Sequence, residues 1–144
     1  MKEHKDEGLI GNEKIEECIE MLQKQPSEEM LAVTLTTIRR RMQEGAKVVV
    51  SVDGTPGNNF QVQVLSLENG EQWLSAFTSF DEELKGSSPV MSTFMADLGE
   101  LLKMALESEA VEGVILNPWN RTLMMDKDLI GLVVGKKLKS NVRN

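Results

Sequence analysis

Gly113-Val114-Ile115-Leu116-Asn117-Pro118-Trp119-Asn120 is the stretch on which the reading of this chain turns. A short apolar run meets an Asn-Pro turn, a tryptophan follows at once, and Arg121-Thr122-Leu123-Met124-Met125 resumes. So short a run between Gly and Asn-Pro has the length of a buried strand rather than a helix. A strand, a tight corner and a return strand are therefore expected. Asn117 must lie outside the right-handed α region because Pro118 follows it, and its amide is placed to bond the turn backbone. Trp119 is expected to cover the hairpin end. The alternative reading makes an exposed Trp beside an Asn amide the anchor for a peptide or small polar ligand. Both stay open.

Upstream of this corner the chain opens with two amphipathic helices. Asn12 suits an N-cap, and Ile15, Cys18, Ile19 and Leu22 recur at helical spacing. Cys18 within that stripe reads as a small buried hydrophobe. Pro26 stops the first helix and Ser27 starts the second, with the stripe Leu31, Leu35, Ile38 and Met42. Arg39, Arg40 and Arg41 fall in its last turn, where cations meet the negative end of the dipole; three of them exceed what capping needs. Gly45 gives the stop signal.

From Lys47 the period changes. Val48 to Val52 reads as a strand, Asp53 to Asn59 as a Gly/Pro/Asn-rich loop, and Phe60, Val62 and Val64 as a half-buried strand. Asn69-Gly70 marks a hairpin whose return strand is Gln72 to Phe77. Thr78 or Ser79 would then cap a short helical turn carrying Asp81, Glu82 and Glu83; the functional reading offers the two hydroxyls to a ligand. Ser88-Pro89 or Ser92 opens an amphipathic helix bearing Phe94, Met95, Leu98, Leu101, Leu102 and Ala105 to about Glu107. A last helix begins at Asp126 and ends near Gly135. The order α-α-β-β-β-α-β-β-α favours an α+β domain: an N-terminal helix pair, then a largely antiparallel mixed sheet with helices packed on one face. Residues 1–11 are expected to be a disordered tail, 12–135 a single domain, and 136–144 a basic tail.

The net charge of −7 argues against binding nucleic acid or anionic membrane. Lys136, Lys137, Lys139 and Arg143 are a local exception, read as a solvated terminus. A single cysteine permits no internal disulfide, and neither a signal peptide nor a spanning segment is recognisable, which places the chain in the cytoplasm. His4 alone cannot serve a catalytic triad, metal-ligand spacings are missing, and the carboxylate pairs sit at helix ends. No catalytic residue, metal or cofactor is expected.

Phe77-Thr78-Ser79 with its following acids, then a helix, then Gly113 to Trp119, resemble the SseB protein N-terminal domain family over roughly residues 12–134. That resemblance implies a small cytoplasmic bacterial protein with no catalytic activity attached. It adds to a reading as a non-enzymatic binding or regulatory module whose surface is Phe77, Thr78, Ser79, Asn117, Pro118 and Trp119. Its partner would be a protein or a small polar ligand, and the module a monomer or homodimer. The alternative is a small acidic dimer similar to type III secretion chaperones, which an exposed apolar face at 92–107 or on the sheet would favour.

Overall fold

Two serine caps and two aspartate caps set much of the helical framework. Ser27 Oγ accepts from the Met30 amide at 3.0 Å and opens α2 (Glu28–Gln43), which packs against α1 (Glu13–Lys24). Such caps satisfy one of the amides a helix start leaves unpaired. The computed structural model describes residues 7–52, 62–85 and 92–135. After the helix pair come β1 (Lys47–Val52), β2 (Val64–Ser66), β3 (Gln72–Ala76), α3 (Phe80–Leu84), β4 (Ser92–Asp97), α4 (Leu98–Glu107), β5 (Gly113–Leu116), β6 (Leu123–Asp126) and α5 (Lys127–Val134).

The fold is α+β. β4 pairs with β1, and β2-β3-β5-β6 form a four-stranded sheet; among the described residues only the β3–β5 pair is parallel. Bridges at Val49–Phe77 and Val52–Val62 join the two sheets through β1. The β2–β3 turn is the expected hairpin: Leu67 and Glu71 close a loop in which Gly70 takes φ 89. That left-handed position is why the Asn-Gly signal ends in glycine.

The sheet's alternation sorts its side chains. Val48, Val50, Leu74, Ala76, Val114, Leu116, Leu123 and Met125 join Ile15, Ile19, Ile38, Leu101, Leu102, Ile130 and Val133 in one core, so α1, α2, α4 and α5 cover one face. On the other face Val49 and Phe77 meet Leu9 and Phe80. Burial of this kind stabilises by about 25 cal/mol per Å² of apolar surface.

Three expectations need correction. Residues 92–97 are a strand, not the first turns of a helix; Phe94 and Met95 lie on β4, and Asp97, whose Oδ2 accepts from the Glu100 amide at 2.9 Å, caps the shorter α4. Pairing with β1, some 45 residues away, overrides a spacing that imitates a helix. Part of the stretch expected as a disordered tail is folded: residues 7–9 form a 3-10 turn, and Leu9 is buried. Asn12 makes no side-chain cap; its amide is committed elsewhere. The expected loop at 53–59, Phe60, the Ser88-Pro89 start and the tail at 136–144 lie outside the described residues.

Candidate functional site

The ends of β3 and β5 run side by side, and this brings the two halves of the candidate surface together. Asn117 extends the parallel pairing by donating its backbone amide to the Ala76 carbonyl at 2.7 Å. Its φ of 55 is left-handed, a conformation asparagine tolerates better than most residues, and it turns the chain into Pro118. The Asn120 amide then reaches back to the Asn117 carbonyl at 3.3 Å, with Pro118 at the second position of the turn. The Thr122 hydroxyl donates to the same carbonyl at 2.7 Å.

The side chain of Asn117 does not serve its own turn, as expected from sequence, but the neighbouring strand end. Its Oδ1 accepts from the Thr78 backbone amide at 2.8 Å, and its Nδ2 donates to Thr78 Oγ1 at 3.1 Å. The Thr78 hydroxyl in turn donates to Glu16 Oε2 at 2.5 Å, the length of a charge-assisted bond. A hydroxyl held against a carboxylate is also how a nucleophile is activated, but Thr78 has no exposed surface.

Polar contacts continue in both directions. Asn12 Nδ2 donates to the carbonyls of Lys47 (2.9 Å) and Thr78 (3.0 Å), and Asn12 Oδ1 accepts from Arg41 Nε at 2.9 Å. Arg41, largely buried, also bonds Glu44 Oε1 at 2.8 Å and the Gly8 carbonyl at 3.2 Å. The third arginine of the run therefore ties α2 to the first described residues instead of only offsetting a dipole.

On the other side Arg121, at φ 50, points Nη1 to Glu16 Oε1 at 2.9 Å. Its Nε lies 2.9 Å from Glu20 Oε2 and 3.9 Å from Glu82 Oε2, ion-pair distances without hydrogen-bond geometry. Glu82 is buried; Asn120 Nδ2 reaches its Oε2 at 3.3 Å and Lys85 Nζ at 3.5 Å, while Oε1 has no partner among the described residues. A non-glycine residue held in the left-handed region costs about 1–3 kcal/mol, so the ion pairs hold a strained loop in place.

The six sequence-derived site residues thus divide. Phe77, Thr78 and Asn117 are interior, Pro118 is half-buried, and Ser79 caps α3 by accepting from the Glu82 amide at 3.2 Å. Trp119 is 44% exposed. Asn12, Glu16, Arg41, Glu82 and Arg121 were missed as members of the cluster.

Beside this polar joint runs a groove of about 320 Å³, lined by Leu9, Ile10, Asn12, Glu13 and Glu16 of the α1 entry and by Thr78 to Asp81. Leu9, Ile10 and Phe80 give it apolar walls; Glu13, Glu16 and Asp81 are its charged residues, and no Lys or Arg among the described residues lines it. A depression of about 510 Å³ on α4 is lined, among the described residues, by that helix and Ser108. The groove, by contrast, is walled by two separate segments. Cys18 is half-buried with Sγ 3.5 Å from Thr37 Oγ1. No helix among the described residues is long and apolar enough to cross a membrane. Comparison with family models, curated proteins and solved structures finds no match for this chain.

Proposed function

We propose that this chain is a non-enzymatic, SseB-like cytoplasmic binding module. Its ligand surface is the groove between the α1 entry and the start of α3. The observation that carries this is the lining itself: apolar walls from Leu9, Ile10 and Phe80 beside the carboxylates of Glu13 and Asp81, which no cation among the described residues pairs, Glu16 being held by Arg121. Such a surface suits a partner segment or small polar molecule presenting a cation next to an apolar group. Thr78 and Asn117 then act beneath the surface, fixing the groove's floor, while Ser79 stands on its wall. Trp119 flanks the module as a separate exposed anchor.

The test is fluorescence anisotropy of short labelled peptides, one Lys/Leu-rich and one Glu/Leu-rich, against wild type and Glu13→Lys/Asp81→Lys. Saturable binding of the basic peptide alone, weakened at least tenfold by the double substitution, is expected. Equal binding of both peptides, or no effect of the substitution, contradicts the reading. The chaperone-like dimer keeps one supporting observation, the exposure of Phe94 and Met95 on β4.

A further inference from the structure

The hydrogen-bond parity of β1 decides which backbone groups of β4 face outward. Leu98 donates its amide to the Ala46 carbonyl at 2.9 Å, one step beyond the Lys47–Asp97 pair. In an antiparallel ladder bonded and non-bonded pairs alternate, so Ala96, Phe94 and Ser92 direct their backbone groups to β1. Thr93, Met95 and Asp97 direct theirs away from it. The far side of β1 agrees: Val49 exchanges both bonds with Phe77 at 2.8 Å, and the Ser51 carbonyl accepts from Gln63 at 2.8 Å. Those two residues oppose Met95 and Thr93.

The outer edge of β4 therefore offers the amides and carbonyls of Thr93 and Met95, and among the described residues β4 pairs with β1 alone. Natural edges are usually blunted by Lys, Pro or a bulge. β4 has none: Ser92 to Ala96 carry no charge or proline, and the register to β1 runs unbroken through all six pairs. Its one charge, Asp97, is turned to the α4 amides. Phe94 is 42% exposed and Met95 39%.

We propose that β4 is the contact between two copies of this chain, joined antiparallel edge to edge about a twofold axis. Parity restricts the register, because outward residues must face outward residues. Placing Thr93 opposite Met95 of the second copy satisfies that rule and sets the two Phe94 side chains directly across from each other at the axis. Directly opposed, non-hydrogen-bonded positions bring side chains closest, and aromatic pairs gain most there. Ser92 then faces Ala96 of the second copy, so no charge opposes a charge. An unrelated partner strand has no such built-in match. For an acidic chain that repels its copies, an uncharged edge is a favourable place to meet. The contact is small, so the dimer is concentration-dependent and strengthened by salt. It needs neither the groove nor its ligand.

Sedimentation velocity across a concentration series tests it on wild type, Thr93→Pro and Met95→Lys, with circular dichroism as a folding check. Proline at 93 removes an outward amide and leaves the β1 bonds intact, which edge strands tolerate. The expected result is a wild-type monomer–dimer equilibrium that tightens with added NaCl and is weakened at least tenfold by each folded variant. In wild type, amide exchange at Thr93 and Met95 slows as concentration rises. A wild type that stays monomeric throughout overturns the proposal. So does a dimer that forms with no change in exchange at those two amides, a readout that holds even where a variant does not fold.

Discussion

Replacing Asn117 by alanine removes both side-chain bonds that join the ends of β3 and β5. The Thr78 amide, 2.8 Å from Oδ1 and fully buried, is left without an acceptor, which costs about 1–3 kcal/mol. Alanine must also adopt φ 55, adding roughly 1 kcal/mol for an L residue without asparagine's local bonding. Together these give about 3 kcal/mol, a sizeable share of a total near 5–15 kcal/mol. For a chain of this length that is on the order of 10 °C in Tm. Asn117→Asp separates the two bonds. It keeps an acceptor for the Thr78 amide and tolerates the backbone, but it replaces the donor to Thr78 Oγ1 with a second carboxylate near Glu16. Burial and the neighbouring charge raise the pKa of the new carboxyl above its unfolded value, so the protein regains stability as pH falls and loses it as pH rises. Urea melts at pH 5 and pH 8 measure this. The reasoning is refuted if Asn117→Ala costs under about 1 kcal/mol, or if Asn117→Asp is no less stable than wild type at pH 8.

Other perturbations follow from the same geometry. A Cβ on Gly113 would overlap the Met125 carbonyl oxygen and crowd the backbone of Met125 and Asp126 on β6, so Gly113→Ala must part β5 from β6 and costs about 3 kcal/mol by thermal melting. Arg41→Met leaves Asn12 Oδ1 and the Gly8 carbonyl without donors and costs about 2 kcal/mol. Arg41→Lys recovers little of it in the same melts, since one ammonium cannot span a fork of partners. Arg121→Ala strands Glu16, Glu20 and buried Glu82 together; with Arg121 about a third exposed, the loss is about 2 kcal/mol, and Glu82→Gln in the same chain restores part of it. Paired denaturation curves of the single and double variants check that sign.

Local chemistry made most elements legible. The Ser27 and Ser79 caps, the Asn69-Gly70 hairpin, the Asn-Pro corner and the Asp126 start of α5 all depend on residues within a turn of one another. β4 was hidden because Phe94, Met95, Leu98, Leu101 and Leu102 mimic a helical stripe, and only β1 shows that the first two belong to a strand. The site was half legible for the same reason. Thr78 and Asn117 stood out from sequence, but the bonds between them span 39 residues, and that from Arg121 to Glu16 spans 105. The one sequence hint of the wider network was a run of three arginines, more than a helix end requires; nothing local marks Arg121 as left-handed.

The reading of the groove as the binding surface is tested most directly by amide chemical-shift mapping of the isotope-labelled wild type. The basic and acidic peptides are each titrated to saturation. The account predicts saturable shifts at Leu9, Ile10, Glu13, Ser79 and Asp81 with the basic peptide only. Shifts centred on α4 or confined to the neighbourhood of Trp119, or the same map with the acidic peptide, would contradict it.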